Sequence, residues 1–122
     1  MDMCNGIGID LCEISRMEKL MADDRFMNRW FTPEEIRYVL AKGKGAAQTL
    51  AGLYAAREAL AKALGSGIDF DLKEAEILHT QTGTPYFRLN GRLAERVSGN
   101  RILLSITHDA GVAAAVCILE QE

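Results

Sequence analysis

The order of the predicted elements indicates an α+β fold. One strand pattern opens the chain, helical patterns follow, and the second half alternates apolar and polar residues as antiparallel strands do. No linker, internal repeat or low-complexity segment divides the 122 residues, so we expect a single domain over residues 1–122.

The first half is predicted to contain one strand and two short helices before the longest helix. The apolar run at residues 7–11 predicts the opening strand. Ser15 is the predicted cap of a helix that continues to Met21. The segment Thr-Pro-Glu-Glu at residues 32–35 is typical of a helix start, with a capping residue, then proline, then glutamate at the third helical position. The residues of this helix that we expect to face inward are Ile36, Val39 and Leu40.

The second half is predicted to contain two pairs of strands joined by a short helix. Residues 76–80 and 85–89 flank a turn that contains a glycine, which indicates a hairpin. Residues 92–97 are predicted to form the short helix. Apolar side chains alternate over residues 102–107, as in a half-buried strand. The chain is then expected to turn at residues 108–111 and to return as a strand at residues 112–119.

The helix predicted over residues 49–64 carries a carboxylate and two cations within two turns. Glu58 and Lys62 stand four residues apart and share one face, Arg57 lies beside them, and Gly65 is the expected stop. A site for a divalent metal and a polyphosphate needs an acid for the metal and cations for the phosphate oxygens. The same spacing of Glu and Lys is also common on exposed helices, so this helix alone does not establish a site.

Two further segments contain polar residues in unusual places. Asp10 lies within the opening strand, where aspartate is disfavoured, and the glycines before it allow a close approach of backbone or ligand. Ser105 and Thr107 share one strand face, and His108 begins the predicted turn. This group is suited to binding phosphate or moving a proton. A serine hydrolase is disfavoured because the chain lacks a Gly-x-Ser-x-Gly elbow.

Composition excludes several classes of protein. The formal net charge of −3 argues against a nucleic-acid-binding protein, and no apolar run approaches the length of a membrane span. The three cysteines are odd in number and form no Cys-x-x-Cys motif. This pattern indicates reduced thiols in a cytoplasm, where we expect the cysteines to be small core residues.

Taken in order, these segments resemble holo-acyl-carrier-protein synthase, the small trimeric class of 4′-phosphopantetheinyl transferases. The matching motifs are Gly-Ile-Gly-x-Asp at residues 6–10, Phe-Thr-Pro-Glu-Glu at 31–35, the signature helix at 50–59 followed by Lys62, Gly-x-Pro at 83–85 and Ser-x-Thr-His at 105–108. Three positions depart from the family pattern: Leu53 replaces the usual Arg, Arg57 the usual Lys, and Thr84 a frequent Lys or Arg.

The resemblance implies an activity, a fold and an assembly. The activity is transfer of 4′-phosphopantetheine from coenzyme A to a serine of apo acyl carrier protein, with release of 3′,5′-ADP, in fatty acid biosynthesis. The fold is an antiparallel sheet packed on a long helix, assembled as a homotrimer. A non-catalytic module that binds coenzyme A or a carrier protein is the alternative with the same fold, and an unrelated metal-dependent nucleotide hydrolase is a second one.

The resemblance also assigns roles to individual residues. Asp10 and Glu58 are expected to hold Mg²⁺. The expected catalytic residues are Asp10, Glu58, Lys62 and His108. The expected contacts to coenzyme A are Lys44, Arg57, Lys62, Gly65, Pro85, Ser105 and His108, with Lys42 and Lys44 partly compensating for Leu53. An acidic carrier protein is expected to dock on Arg16, Lys19 and Arg25. The base that takes the serine proton stays open among Glu58, His108, Asp109 and a metal-bound water.

Overall fold

A three-stranded antiparallel sheet packed against one long helix forms the centre of the fold, as predicted. The computed structural model describes residues 4–122, so residues 1–3 of the predicted domain lie outside the described residues. The sheet contains β1 (Cys4–Glu13), β4 (Asn100–Asp109) and β5 (Val112–Gln121) in the order β1-β5-β4, and the helix is α4 (Ala46–Leu64). Within the described residues, no helix combines the length and the apolar character needed to cross a bilayer.

The remaining elements surround this centre. Three short helices precede α4, and an antiparallel hairpin and one more helix separate it from β4. These elements are α1 (Ile14–Leu20), α2 (Asp24–Trp30), α3 (Pro33–Leu40), β2 (Ala75–His79), β3 (Pro85–Leu89) and α5 (Gly91–Arg96). Single 3-10 turns occupy Gly43–Gly45 and Leu72–Glu74.

Two glycines in β1 allow α4 to lie directly on the strand. A Cβ atom at Gly8 would lie 1.9 Å from the carbonyl oxygen of Ala59, and one at Gly6 would lie 2.1 Å from that of Ala63. The predicted close approach at these glycines is therefore made by the helix backbone. This contact sets the position of Asp10 against the last turns of α4.

The register of the sheet divides the predicted polar residues between its two faces. Asp10 and Ile106 both pair with Ala115, and His108 pairs with Ala113. Directly paired residues point to the same face, and the buried Ala113 and Ala115 point toward α4. Asp10 and His108 therefore lie on the helix side of the sheet. Ser105 lies on the opposite face, because successive residues of a strand alternate.

The face of the sheet turned away from α4, which we call the open face, is mostly apolar. Ile7, Ile9 and Leu11 are 63%, 62% and 66% exposed there. Cross-strand pairs continue the apolar surface across β5 and β4. The residues of the open face are Ile7, Ile9, Leu11, Leu103, Ser105, Thr107, Ala114, Val116 and Ile118.

Several local predictions are confirmed. Thr32 and Glu35 form a complete capping box at the start of α3, in which each side chain accepts from the other residue's backbone N–H. The hairpin of β2 and β3 turns through Gly83, whose φ of 90° is unfavourable for other residues. The predicted short helix is α5.

Other local predictions are wrong. Ser15 lies inside α1, which begins after Glu13 without a side-chain cap, and the Ile14 N–H donates to the Gly111 carbonyl 3.0 Å away. Leu40 ends α3 on the solvent side and is 58% exposed. Cys4 is exposed, whereas the other two cysteines are buried core residues, as predicted. The last turn lies at residues 110–111, so His108 still belongs to β4.

Candidate functional site

Asp10 and Lys62 form an ion pair between β1 and α4. Lys62 Nζ donates to Asp10 Oδ1 at 3.2 Å and to the carbonyl oxygen of Ile9 at 3.0 Å. The Asp10 side chain is mostly buried, whereas Lys62 is 56% exposed. The close contact between the glycines of β1 and α4 creates this pair, and its cation stays accessible to an anionic ligand.

Glu58 lies one turn before Lys62 on the same face of α4. Partial burial raises the pKa of the Glu58 carboxyl, and the nearby Asp10 carboxylate raises this pKa further. Lys62, Arg16 and a hydrogen bond from Tyr54 act in the opposite direction and lower the pKa. Two neighbouring carboxylates that oppose each other's ionisation are stabilised by a cation bound between them.

The acids of this site suit Mg²⁺ in a substrate complex. Mg²⁺ usually takes one or two carboxylates and completes its octahedron with water and substrate phosphates. Asp10 and Glu58 supply that number of carboxylates. Among residues 4–122, no three or more His, Cys, Asp and Glu side chains are grouped as they would be to hold a metal ion. We call Asp10, Glu58 and Lys62 the carboxylate site.

The Arg57 side chain points away from the region that the Glu58 side chain faces, and the prediction that Arg57 faces phosphate oxygens is wrong. Its side chain is 0% exposed and ion-pairs with the equally buried Glu35 at 2.6 Å. Arg57 Nε also donates to the carbonyl oxygen of Leu72 at 3.0 Å. Successive helical residues are rotated by about 100°, so Glu58 faces the carboxylate site while Arg57 enters the core.

A second polar region is a cleft of about 390 Å³ between α4, β4 and the hairpin of β2 and β3. Pro85 and His108 line it, as does Lys42, whose Nζ lies 4.6 Å from the ring centroid of Tyr38. Gln48 Nε2 and His108 Nε2 lie 3.0 Å apart, within hydrogen-bond distance. Sequence reasoning missed Gln48, because nothing in its own segment marks it as a partner of a distant strand.

The other residues expected to contact coenzyme A lie outside this cleft. Lys44 is exposed in the Gly43–Gly45 turn and does not line the cleft. Gly65 ends α4 in a left-handed conformation with φ of 79°, and Ser105 lies on the open face. Leu53 lines the cleft with an apolar wall where the family pattern has a cation.

The structure of one chain keeps the carboxylate site and the cleft apart. None of the three residues of the carboxylate site lines the cleft. Asp10 and His108 lie on strands separated by β5. The sequence motifs that contain these residues therefore define two separate regions of a single chain.

Arg16 lies close to the carboxylate site, whereas the other two predicted docking residues lie on the outer surface of the helices. Arg16 Nη2 donates to the Tyr54 hydroxyl at 3.2 Å. Lys19 on α1 and Arg25 on α2 are exposed, and neither belongs to an ion pair of the described residues. Sequence reasoning assigned no role to Tyr54.

The chain matches known proteins over nearly its whole length. The family model described as "4'-phosphopantetheinyl transferase superfamily" matches residues 6–117. A holo-[acyl-carrier-protein] synthase of Treponema denticola is 43% identical over 122 residues, which cover 97% of this chain and 99% of that protein. A holo-[acyl-carrier-protein] synthase of Geobacter sp. is 40% identical over 126 residues, covering 98% of this chain and 100% of that protein.

Solved structures of such proteins share the complete fold. A holo-(acyl-carrier-protein) synthase from Bacillus anthracis in complex with CoA (3',5'-ADP) has a TM-score of 0.84 and 32% identity, covering 99% of this chain and 100% of that chain. The holo-[acyl-carrier-protein] synthase from Neisseria meningitidis has a TM-score of 0.86 and 30% identity, covering 98% of this chain and 100% of that chain. The likeness therefore extends well beyond any single motif.

Proposed function

Because the chain belongs to the 4′-phosphopantetheinyl transferase superfamily, we propose that it is a holo-[acyl-carrier-protein] synthase. It transfers 4′-phosphopantetheine from coenzyme A to a serine of apo acyl carrier protein, in fatty acid biosynthesis. The observation that carries this proposal is the carboxylate site, where Asp10, Glu58 and Lys62 from two distant motifs meet. A module that only binds coenzyme A would not need this pair of acids.

The reaction exchanges the phosphoanhydride bond of coenzyme A for a phosphodiester bond to serine. The serine oxygen attacks the phosphorus next to pantetheine, the bond from that phosphorus to the bridging pyrophosphate oxygen breaks, and 3′,5′-ADP leaves. Asp10 and Glu58 are the residues that would hold Mg²⁺, which supplies positive charge to the phosphate oxygens when it is bound. Lys62 donates to these oxygens from its exposed end. Such positioning and charge stabilisation are the main contributions a protein makes to phosphoryl transfer.

The cleft is the proposed place for another part of coenzyme A. Its volume of about 390 Å³ accommodates a fragment of such a substrate. Pro85 and His108 are expected to contact the substrate there, and Lys42 supplies a cation to the same lining as the apolar Leu53. The other proposed contacts lie outside the cleft, so a second chain would have to bring substrate to them. These contacts are Lys44, Gly65 and Ser105.

A homotrimer is the proposed assembly. The open face exposes three large apolar side chains of β1, and a soluble protein rarely leaves such a surface uncovered. Packing of three copies on this face would cover it. Assembly would also allow the cleft of one chain to approach the carboxylate site of another, which a single chain does not achieve.

The acceptor is proposed to be an acidic carrier protein that docks on the exposed basic residues of α1 and α2. Arg16, Lys19 and Arg25 lie on this side of the molecule, and opposite charges accelerate and orient such encounters.

Free thiols at Cys12 and Cys117 support a location in the cytoplasm, and burial raises the pKa of Cys117 to about 12.

One assay separates this function from its alternatives. The protein is incubated with coenzyme A, Mg²⁺ and apo acyl carrier protein, and the carrier protein is weighed by mass spectrometry. A synthase adds the mass of one 4′-phosphopantetheine group, and the addition requires coenzyme A. A binding module would bind coenzyme A in calorimetry but leave the carrier mass unchanged, and a hydrolase would consume coenzyme A without modifying the carrier.

A further inference from the structure

A buried tyrosine connects Arg16 of α1 with the carboxylate site. Tyr54 packs its ring on Trp30, with the two centroids 4.4 Å apart, and is only 8% exposed. The Arg16 guanidinium lies 5.0 Å from the same ring and donates to the Tyr54 hydroxyl at 3.2 Å. Arg16 and Trp30 together fix where this hydroxyl lies.

The hydrogen-bonding capacity of these groups determines where the Tyr54 proton points. Arginine has only donors, so the Tyr54 oxygen must be the acceptor of the bond to Arg16, and its own proton is free for another partner. Tyr54 and Glu58 stand four residues apart on one face of α4. This spacing places the Tyr54 side chain next to the Glu58 carboxyl, whose pKa hydrogen bonding from Tyr54 lowers. The order of neighbouring groups is therefore Arg16, Tyr54 and Glu58.

We propose that Tyr54 is a positioning residue, whose hydroxyl holds the Glu58 carboxylate in the orientation used for transfer and is itself held by Arg16. The role rests on the proposed function, since it concerns the same carboxylate site. Arg16 would then have two roles. It would contact the acidic carrier protein during docking, and it would support the transfer step by holding Tyr54.

The first test is Tyr54→Phe, which removes the hydroxyl and keeps the ring on Trp30. We expect kcat to fall about tenfold, the scale of one lost hydrogen bond to a charged group, while the KM values for coenzyme A and carrier protein change less than about twofold. Tyr86→Phe is the matched control, since Tyr86 is exposed on β3 and lines neither the cleft nor the carboxylate site, so this variant should retain wild-type kinetics. Arg16→Ala should raise the carrier KM and also lower kcat, and adding Tyr54→Phe should lower kcat little further.

A second test measures the coupling between Arg16, Tyr54 and Glu58 in the free protein, without metal or coenzyme A. The ¹³C signal of the Glu58 carboxyl carbon should shift in Arg16→Ala, and this shift should be smaller when Tyr54→Phe is already present, because only the direct charge effect of Arg16 on Glu58 then remains. Wild-type kcat in a folded Tyr54→Phe protein would overturn the proposal, as would a Glu58 shift in Arg16→Ala that has the same size with and without the Tyr54 hydroxyl. A Tyr54→Phe protein that changes only the KM for the carrier protein would also overturn the proposal, because that result assigns Tyr54 to docking. If the wild-type protein transfers nothing, the proposed function fails, while the NMR test still decides whether the coupling exists.

Discussion

The buried ion pair between Glu35 and Arg57 predicts a large loss of stability when one partner is removed. Glu35 is 1% exposed and accepts three hydrogen bonds: from Arg57 Nη2 at 2.6 Å, from the Thr32 N–H at 2.9 Å and from the Ile77 N–H at 2.9 Å. These bonds join α4, α3 and β2 at one carboxylate. Glu35→Ala therefore leaves a buried guanidinium and two backbone donors without this acceptor.

The magnitude follows from the cost of an uncompensated buried charge. Breaking a buried ion pair by removing one partner costs about 3–5 kcal/mol, because the remaining charge cannot return to water. For a domain of this size we expect the melting temperature to fall by about 10–20 °C. Glu34→Ala is the matched control, since Glu34 is the adjacent residue and its pair with Arg37 is exposed, at 61% and 67%. The control should lose less than about 1 kcal/mol.

The assay is urea unfolding of both variants at one fixed protein concentration, because self-association would add to the apparent stability. A Glu35→Ala protein within about 1 kcal/mol of Glu34→Ala would refute the reasoning. The double variant Glu35→Leu/Arg57→Met offers a further check. It removes both charges but still leaves the Thr32 and Ile77 N–H groups without their acceptor, so it should recover part of the lost stability.

Three other predictions concern the carboxylate site, the hairpin and the open face. Asp10→Ala should lower the transfer rate at least about hundredfold with an unchanged circular dichroism spectrum, and near-normal turnover would remove Asp10 from the proposed metal site. Burial and, to a smaller extent, Lys42 lower the pKa of His79, so the unfolded state binds the proton more readily. Wild-type stability should therefore fall as the pH drops below about 6.5, and thermal melts of His79→Asn should lack this loss; parallel pH profiles would contradict the assignment. Ile9→Glu should break the proposed trimer in light scattering, whereas Leu40→Glu, at a position of similar exposure (58% against 62%), should leave it intact. A trimer that survives Ile9→Glu would exclude the open face as the interface.

Local patterns in the sequence were sufficient for most of the elements and for the family. The capping box of Thr32 and Glu35, the hairpin turn at Gly83 and the alternation along β4 depend on residues close together in the chain. Such features form through contacts of neighbouring residues, so a sequence pattern can predict them. The same holds for Glu58 and Lys62, whose spacing places them on one face of α4.

The surroundings of each side chain depended on which faces the packed elements cover. Almost every side of α4 is buried, so the Ala-rich sequence of this helix does not reveal that Arg57 enters the core while Glu58 faces the carboxylate site. Alternation along β4 separates Ser105 from His108, but which of the two lies on the side of α4 depends on how the sheet packs on that helix. The exposure of Cys4 and Leu40 likewise depends on what packs beside them. A sequence pattern can show that two residues share a face, but only packing against distant segments determines whether that face meets solvent, a charge or the core.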